Sequence, residues 1–252
     1  MKSLKHYING NYLNGNYLNE SAWDIEDNIA DDNEELILDI IRKFIEKNYD
    51  GSVFRGKPTY QITKKGDKYF VDCKSSLTVQ FNDSESLANE YFEFNSTVNL
   101  QLNNCDNLKN LEGIPRIVKR VFELTECKTL KDLSYAPQEC YCIYVGDCDG
   151  LKSIKGIPNA EDVDIERCKN LEDIKDLPSK LKRLGLSDLE NLKDINDIPD
   201  SCEEINIFRC NSIEMPTKLP KKLKYLNLYD NFLDVNELEK LTNAKITVHS
   251  RK

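Results

Sequence analysis

The chain has 252 residues and a formal net charge of −9, from 35 basic and 44 acidic side chains. Hydrophobic residues make up 39% and charged residues 31%, a balance typical of a water-soluble chain with one or two domains. No run approaches the roughly 20 apolar residues that a membrane-spanning helix needs, so no membrane association is expected. The acidic balance also argues against nucleic-acid binding, which depends on a basic surface.

Residues 1–23 are predicted to be a flexible leader, because GNYLN occurs twice in succession, at 10–14 and at 15–19. The opening MKSLKHYINGNY has no continuous apolar segment of the kind found in secretory signals. The expected location is therefore the cytoplasm, where the nine cysteines stay reduced. An odd number of cysteines also excludes complete pairing within one chain.

The first twenty residues resemble one known kind of leader. They begin M-K-x-L-x-x-Y-I and contain Leu18-Asn19-Glu20, a Leu-x-Glu site. In both respects they resemble the short leaders of internal head proteins of T-even-like phages, which a prohead protease cuts. The resemblance implies a virion-associated or injected head protein, whose packaging leader is cut after Glu20, as an alternative to a cytoplasmic protein with a disordered tail.

Residues 24–94 lack the repeat described below and are predicted to be a small α+β cap that covers the open edge of the first coil. A helix is predicted over 34–49, with acids in its first turn and basic residues toward its end, as the helix dipole favours. Its apolar residues form one stripe: Leu36, Ile37, Ile40, Ile41, Phe44 and Ile45. Strands are predicted over 59–63, 69–73 and 76–81, the first two joined by a Lys-Gly-Asp turn.

Residues 95–252 repeat with a period of about 21 residues. One column recurs at nearly constant spacing and contains Cys105, Cys127, Cys148, Cys168, Leu189, Cys210 and Asn231. The prolines keep the same period, at Pro115, Pro137, Pro158, Pro178, Pro199 and Pro220. Two residue types that share one period predict a solenoid of about seven stacked coils.

Each unit begins with two apolar residues that alternate with polar ones, as Val163 and Ile165 do, which predicts a short strand buried on one face. Apolar residues then recur every third position, which suits a 3₁₀ or polyproline II path better than an α-helix. The segment KLKYLNLYDNFL (222–233) fits L-x-x-L-x-L-x-x-N/C-x-L, so the array resembles the leucine-rich repeats, with similarity to short bacterial and phage forms.

The resemblance implies an α/β-type solenoid with a parallel sheet on the concave face and an irregular or 3₁₀ convex side. The bend column then supplies structural residues: Cys105, Cys127, Cys148, Cys168, Cys210 and Asn231. Because the Leu189 side chain offers no hydrogen bond there, the backbone groups at the bend of its coil are expected to be the least well hydrogen-bonded. Cys142, on the predicted concave face, is the thiol that a reagent should reach first.

No motif for catalysis, cofactor binding or metal binding is present. The two histidines, His6 and His249, lie at opposite ends of the chain, and the sequence has no phosphate-binding glycine loop and no H-E-x-x-H. Cys140, Cys142 and Cys148 do not have zinc-site spacing. We therefore expect a protein that is not an enzyme and has no cofactor or metal.

The polar residues beside the strand leucines are expected to project from the concave face. Asp162, Asp164 and Glu166 place three like charges on one strand, from which folding gains nothing. Arginine and exposed aromatic residues lie nearby, as in protein-binding hot spots. The predicted partner-binding residues are Tyr144, Asp162, Asp164, Glu166, Arg183, Phe208, Tyr225 and Tyr229. A monomer that binds one protein partner is the expectation, and a mixed polar face that only keeps the solenoid soluble is the alternative.

Overall fold

The computed structural model describes residues 34–48, 59–74, 76–79 and 92–249. The predicted leader (1–23) and the Leu18-Asn19-Glu20 site lie outside these residues. The described elements are, in chain order, α1 (Glu34–Asn48), β1 (Tyr60–Lys65), β2 (Lys68–Cys73), β3 (Leu77–Val79), β4 (Phe92–Thr97), β5 (Leu100–Asn103), β6 (Ile117–Val118), β7 (Val121–Thr125), β8 (Cys142–Gly146), β9 (Asp162–Glu166), β10 (Arg183–Ser187), β11 (Glu204–Phe208), β12 (Tyr225–Tyr229), α2 (Val235–Glu239) and β13 (Lys245–His249).

The chain forms a β-solenoid of about eight turns, with few helices. Nine strands build one long sheet in the order β13-β12-β11-β10-β9-β8-β7-β5-β3, and every neighbouring pair is parallel. Each step along the sheet from β5 to β12 is also one step of the sequence repeat. The period predicted from the sequence is therefore the spacing of the coils.

The period-2 pattern explains why these segments are strands. In β9 the side chains of Val163 and Ile165 are buried, while those of the residues on either side of them are only partly buried. Val163 pairs with Leu184 of β10, and Ile165 pairs with Leu186. The register is the same at every pair from β7 to β12, so the buried residues stack in two continuous columns. These columns fill one core along the whole solenoid.

A second sheet joins the N-terminal part of the chain to the coils. Its order is β1-β2-β4-β6, with β1 and β2 antiparallel and the other pairs parallel. Pairing of β1 with β2 continues to Lys65 and Lys68, beyond the predicted strand ends, because the turn between them needs only Gly66, at φ +63°, and Asp67. Helix α1 contributes Ile41 and Ile45 to the common core.

The strand predicted over 76–81 is described from Leu77 to Val79, and its neighbour is β5. Leu77 pairs with Leu100, which follows it in the chain at a separation close to that of the repeats. This strand therefore lies in the long sheet, as its first strand.

The return legs of the coils are single turns, and the described residues contain no 3₁₀-helix. The apolar residues at three-residue spacing close separate turns, such as Leu171 N–H to Cys168 C=O at 3.1 Å and Leu177 N–H to Ile174 C=O at 3.3 Å. Between these turns the backbone bonds to the next coil, as Glu172 N–H does to Lys152 C=O at 3.0 Å. Bonds between coils therefore interrupt what would otherwise be a 3₁₀ path.

At the bends that follow the strands of the long sheet, cysteine and asparagine side chains bond to the backbone. The Sγ of Cys127 lies 3.5 Å from the carbonyl oxygens of Thr125 and Leu102, and Cys105, Cys148, Cys168 and Cys210 make similar contacts. Asn231 donates to Cys210 C=O at 3.3 Å and accepts from Leu233 N–H at 2.9 Å. Leu189 makes no such bond, but the nearby Ser187 C=O still accepts from Arg167 N–H at 3.0 Å.

The sequence analysis missed the residue that precedes the bend column. In seven coils this residue has a left-handed backbone with φ between 45° and 55°, although none is glycine: Asn104, Glu126, Asp147, Arg167, Asp188, Arg209 and Asp230. That conformation costs about 1 kcal/mol for a residue with a Cβ. Each of these N–H groups donates to the last strand residue of the next coil, at 2.9–3.1 Å, and so extends the ladder between coils by one bond.

Two pairs within this left-handed column are also joined by arginine. The Arg167 guanidinium donates to both carboxylate oxygens of Asp147 at 2.8 Å, and Arg209 does the same to Asp188 at 2.7 Å. Such two-point pairing fixes the side-chain geometry more firmly than a lysine contact does. These pairs join adjacent coils at the carboxyl ends of the strands.

Candidate functional site

All eight predicted partner-binding residues lie on one face of the long sheet, the side opposite the core, here called the open face. They occupy five consecutive strands, namely Tyr144 on β8, Asp162, Asp164 and Glu166 on β9, Arg183 on β10, Phe208 on β11, and Tyr225 and Tyr229 on β12. They alternate with the buried residues of the same strands. The strand register therefore brings them together.

Two of the three acids on β9 have charged partners. Asp162 pairs with Arg183, which lies directly opposite it on β10. Glu166 pairs with Arg167 and accepts a hydrogen bond from the hydroxyl of Tyr144. The pairing to Arg167 could not be expected from strand alternation, because the left-handed backbone at Arg167 sets the direction of its side chain.

Asp164, the middle acid, has no such partner. Its carboxylate makes no hydrogen bond or ion pair with any described residue, although it is half-buried. Burial raises the pKa of its carboxyl group, the charges of Glu166 and Asp162 raise the pKa further, and Arg183 opposes them. Its environment therefore disfavours the charged form.

Asp164 has room because the residue beside it on β10 is Gly185. A Cβ added at Gly185 would lie 2.5 Å from Oδ1 of Asp164, so the carboxylate occupies the space that another side chain would take. Gly146 plays a similar part for Tyr144, whose hydroxyl would lie 2.8 Å from an added Cβ. Neither glycine was among the predicted site residues, although both lie in the polar columns of the repeat.

A depression of about 440 Å³ opens above Gly185. Asp164 lines it on one side and Asn206 on the other, while Phe208 and Tyr229 form an aromatic wall. Asp162, Arg183 and Glu204 also line it, with Arg183 already paired to Asp162. This open, mixed-polarity cavity has one half-buried carboxylate free of a protein partner.

The prediction that the aromatic residues are exposed is right for Tyr225, which is 50% exposed, and wrong for Tyr144, Phe208 and Tyr229. Neighbouring strands lie close enough for their rings to cover one another. Phe208 and Tyr229 have ring centroids 5.6 Å apart, and Tyr229 stacks on His249 at 4.4 Å. Tyr144 lies over Gly146, and burial, followed by its bond to Glu166, raises its pKa.

Cys142 also lies on the open face and is the one cysteine of the nine that is not fully buried. Burial, together with the nearby charges of Asp162 and Asp164, raises the pKa of its thiol to about 11. At neutral pH it is therefore almost entirely protonated, and a protonated thiol is a poor nucleophile.

A second depression, of about 370 Å³, lies beside the smaller sheet. The two cations that line it, Lys68 and Arg116, both pair with Glu93, at 2.5 and 2.8 Å. These pairs lower the pKa of Glu93, with the bond from Lys68 making the largest contribution. Both cations of this depression are thus already paired within the protein.

Within the described ranges, no group of three or more His, Cys, Asp and Glu side chains is placed to hold a metal ion. None of the described helices has the length and apolar character required to cross a membrane. Comparison of the chain with protein-family models, with curated proteins and with solved structures found no match.

Replacing Asp164 with asparagine should stabilise the protein near pH 7. Since the pKa of Asp164 is raised in the folded state, wild-type stability falls as the pH rises from the ordinary aspartate pKa through the raised one. Asp164→Asn removes this loss, so its advantage in free energy of unfolding should be larger at pH 7 and should shrink as the pH falls toward the ordinary aspartate pKa, about 4. Urea denaturation across this range measures it.

Glu123→Gln is the matched control, because Glu123 lies on the open face but accepts a hydrogen bond from Gln101 at 2.8 Å. It should gain no such advantage. An Asp164→Asn protein that is less stable than wild type at pH 7 would show that the carboxylate has a favourable partner in the folded state.

Proposed function

We propose that the chain is a non-catalytic interaction module that binds another protein through the open face of its long sheet. The observation that carries the proposal is the composition of that face around Gly185, where aromatic rings, an arginine and an unpaired carboxylate surround one depression. Arginine and aromatic residues are enriched in protein-binding hot spots, and half-buried polar groups without partners are costly.

The alternative is that the open face only keeps the solenoid in solution. Paired charges and neutral polar residues would serve that purpose at no cost in stability. Asp164 is instead half-buried among like charges. On the same side of the sheet, Tyr229 stacks on His249 and lies against the tilted ring of Phe208. A face of this kind suits a partner better than it suits water alone.

The finer architecture belongs to the same proposal. We take the coils to be leucine-rich repeats whose open face is concave, on the strength of the L-x-x-L-x-L-x-x-N/C-x-L pattern. Helix α1 with β1 and β2 would act as the N-terminal cap. Nine free cysteines, eight of them buried, support a reducing compartment such as the cytoplasm, and we propose a monomer that needs no cofactor.

Removing the aromatic wall tests the proposal. Immobilised wild-type protein and the Phe208→Ala/Tyr229→Ala variant would be exposed to lysate of the source cells, and retained proteins quantified by mass spectrometry. A specific partner should fall by at least about tenfold on the variant, because loss of an anchoring aromatic residue typically costs about 2 kcal/mol or more.

Tyr135→Gly is the control. Tyr135 is 65% exposed, lines the depression beside the smaller sheet, and has φ +68°, a conformation that glycine adopts without strain. The control should retain the partner. A partner bound equally by all three proteins would place the binding site elsewhere and contradict the proposal.

The leader supports a second candidate, a virion-associated or injected phage head protein. The supporting observation is Leu18-Asn19-Glu20, within a leader that begins MKSLKHYI. Cleavage after Glu20 would give a mature protein that begins at Ser21. Amino-terminal sequencing of the protein from purified virions should then start at Ser21, whereas an intact Met1 or absence from the particles would contradict this candidate.

A further inference from the structure

We propose that the depression above Gly185 receives a basic side chain, lysine or arginine, from the protein partner. This inference rests on the proposed function of the open face and names the chemistry that the face recognises. It depends on three independent features of the described residues: an unpaired carboxylate, the space beside it and an aromatic wall.

The first feature is the state of Asp164 relative to the other open-face acids. Glu123 bonds to Gln101, Asp162 pairs with Arg183, Glu166 pairs with Arg167, and Glu204 accepts from Asn206 at 3.1 Å. Among the open-face acids of β7 to β11, Asp164 alone has a carboxylate with no hydrogen bond or ion pair within the described part of the chain. A cation from outside would supply the partner that its neighbours already have.

The second feature is room for that cation. Because Gly185 has no side chain, the carboxylate of Asp164 faces a depression of about 440 Å³. The charged groups that line it are Asp162, Asp164, Glu204 and Arg183. With Arg183 paired to Asp162, two negative charges remain, so the depression favours a cation over an anion.

The third feature is the aromatic wall. Phe208 already has the guanidinium carbon of Arg209 at 4.5 Å from its ring centroid, so its environment accommodates a cation over a ring face. Tyr229 continues the wall toward His249, which lengthens the apolar contact surface beyond one side chain. A lysine or arginine on an extended segment presents both the charge and the apolar stem that such a site fits.

The test uses the full chain with carboxyl-labelled aspartate and two short peptides, Gly-Ser-Lys-Ser-Gly and the same peptide with norleucine in place of lysine. The lysine peptide should shift the carbon signal of Asp164 and lower its pKa, because a nearby cation favours the carboxylate. The norleucine peptide should do neither. Asp164→Asn should weaken binding of the lysine peptide by about tenfold, while Glu123→Gln should leave it unchanged.

Gly185→Ala provides a second variant, because its Cβ would meet Oδ1 of Asp164 at 2.5 Å and displace the carboxylate from its place beside the depression while every charge is kept. It should also weaken the lysine peptide. Equal binding of the two peptides, an unmoved Asp164 signal, or full binding to Asp164→Asn would each overturn the inference.

Failure here can be distinguished from failure of the proposed function. If the cellular partner is lost by Phe208→Ala/Tyr229→Ala but retained by Asp164→Asn, the open face binds the partner, but not through a basic side chain in this depression. If both variants retain it, the open face is not the site. Loss on both variants is the result expected when the inference and the proposed function hold together.

Discussion

The structure depends on one constraint, which is that each coil pairs with the next in the same parallel register. Residues one repeat apart lie side by side, as Val163, Leu184 and Ile205 do, so a single repeat specifies both the core and the open face. No coil can bury its apolar edge alone, and stability comes from the interfaces between neighbours. A shift of one residue at any pair would turn buried leucines toward the open face and polar residues into the core.

Keeping this register has a local cost. The residue after each long-sheet strand from β5 to β12 adopts a left-handed backbone, which is unfavourable for residues with a Cβ and less so for Asn and Asp than for Glu and Arg. The cost is offset because each such N–H bonds to the next coil, and because Arg167 and Arg209 bridge to acids one coil away. The same geometry directs Arg167 to Glu166, which leaves Asp164 as the unpaired acid of β9. The chemistry of the open face therefore follows from how the coils turn.

The sequence predicted the repeat, its strands and the residues of the open face. The spacing of the apolar residues shows both the alternation of buried and open-face positions and the constant repeat period. The left-handed column was missed because no glycine marks it, although Asn or Asp, which adopt this conformation more readily than most residues, occupy four of its seven positions. By sequence alone Asp162, Asp164 and Glu166 are equivalent, because side-chain pairing depends on backbone directions that a pattern does not contain. The depression was missed for a related reason. Gly146 and Gly185 leave space that the side chains of Tyr144 and Asp164 occupy, and the sequence does not show which side chain lies over which glycine. The three-residue spacing of the return legs suggested 3₁₀ structure, whereas bonds between coils divide it into single turns.

The most direct test of the common register is a set of nuclear Overhauser contacts between side-chain methyl groups in the core. Leu186 of β10 lies opposite Ile165 of β9 and Ile207 of β11. With methyl-labelled protein, Leu186 should therefore show strong contacts to both isoleucines, each of which lies one repeat away in the sequence. The absence of contacts to one of these isoleucines, or strong contacts to Val163 or Ile205 in their place, would contradict the stacking on which the open face depends.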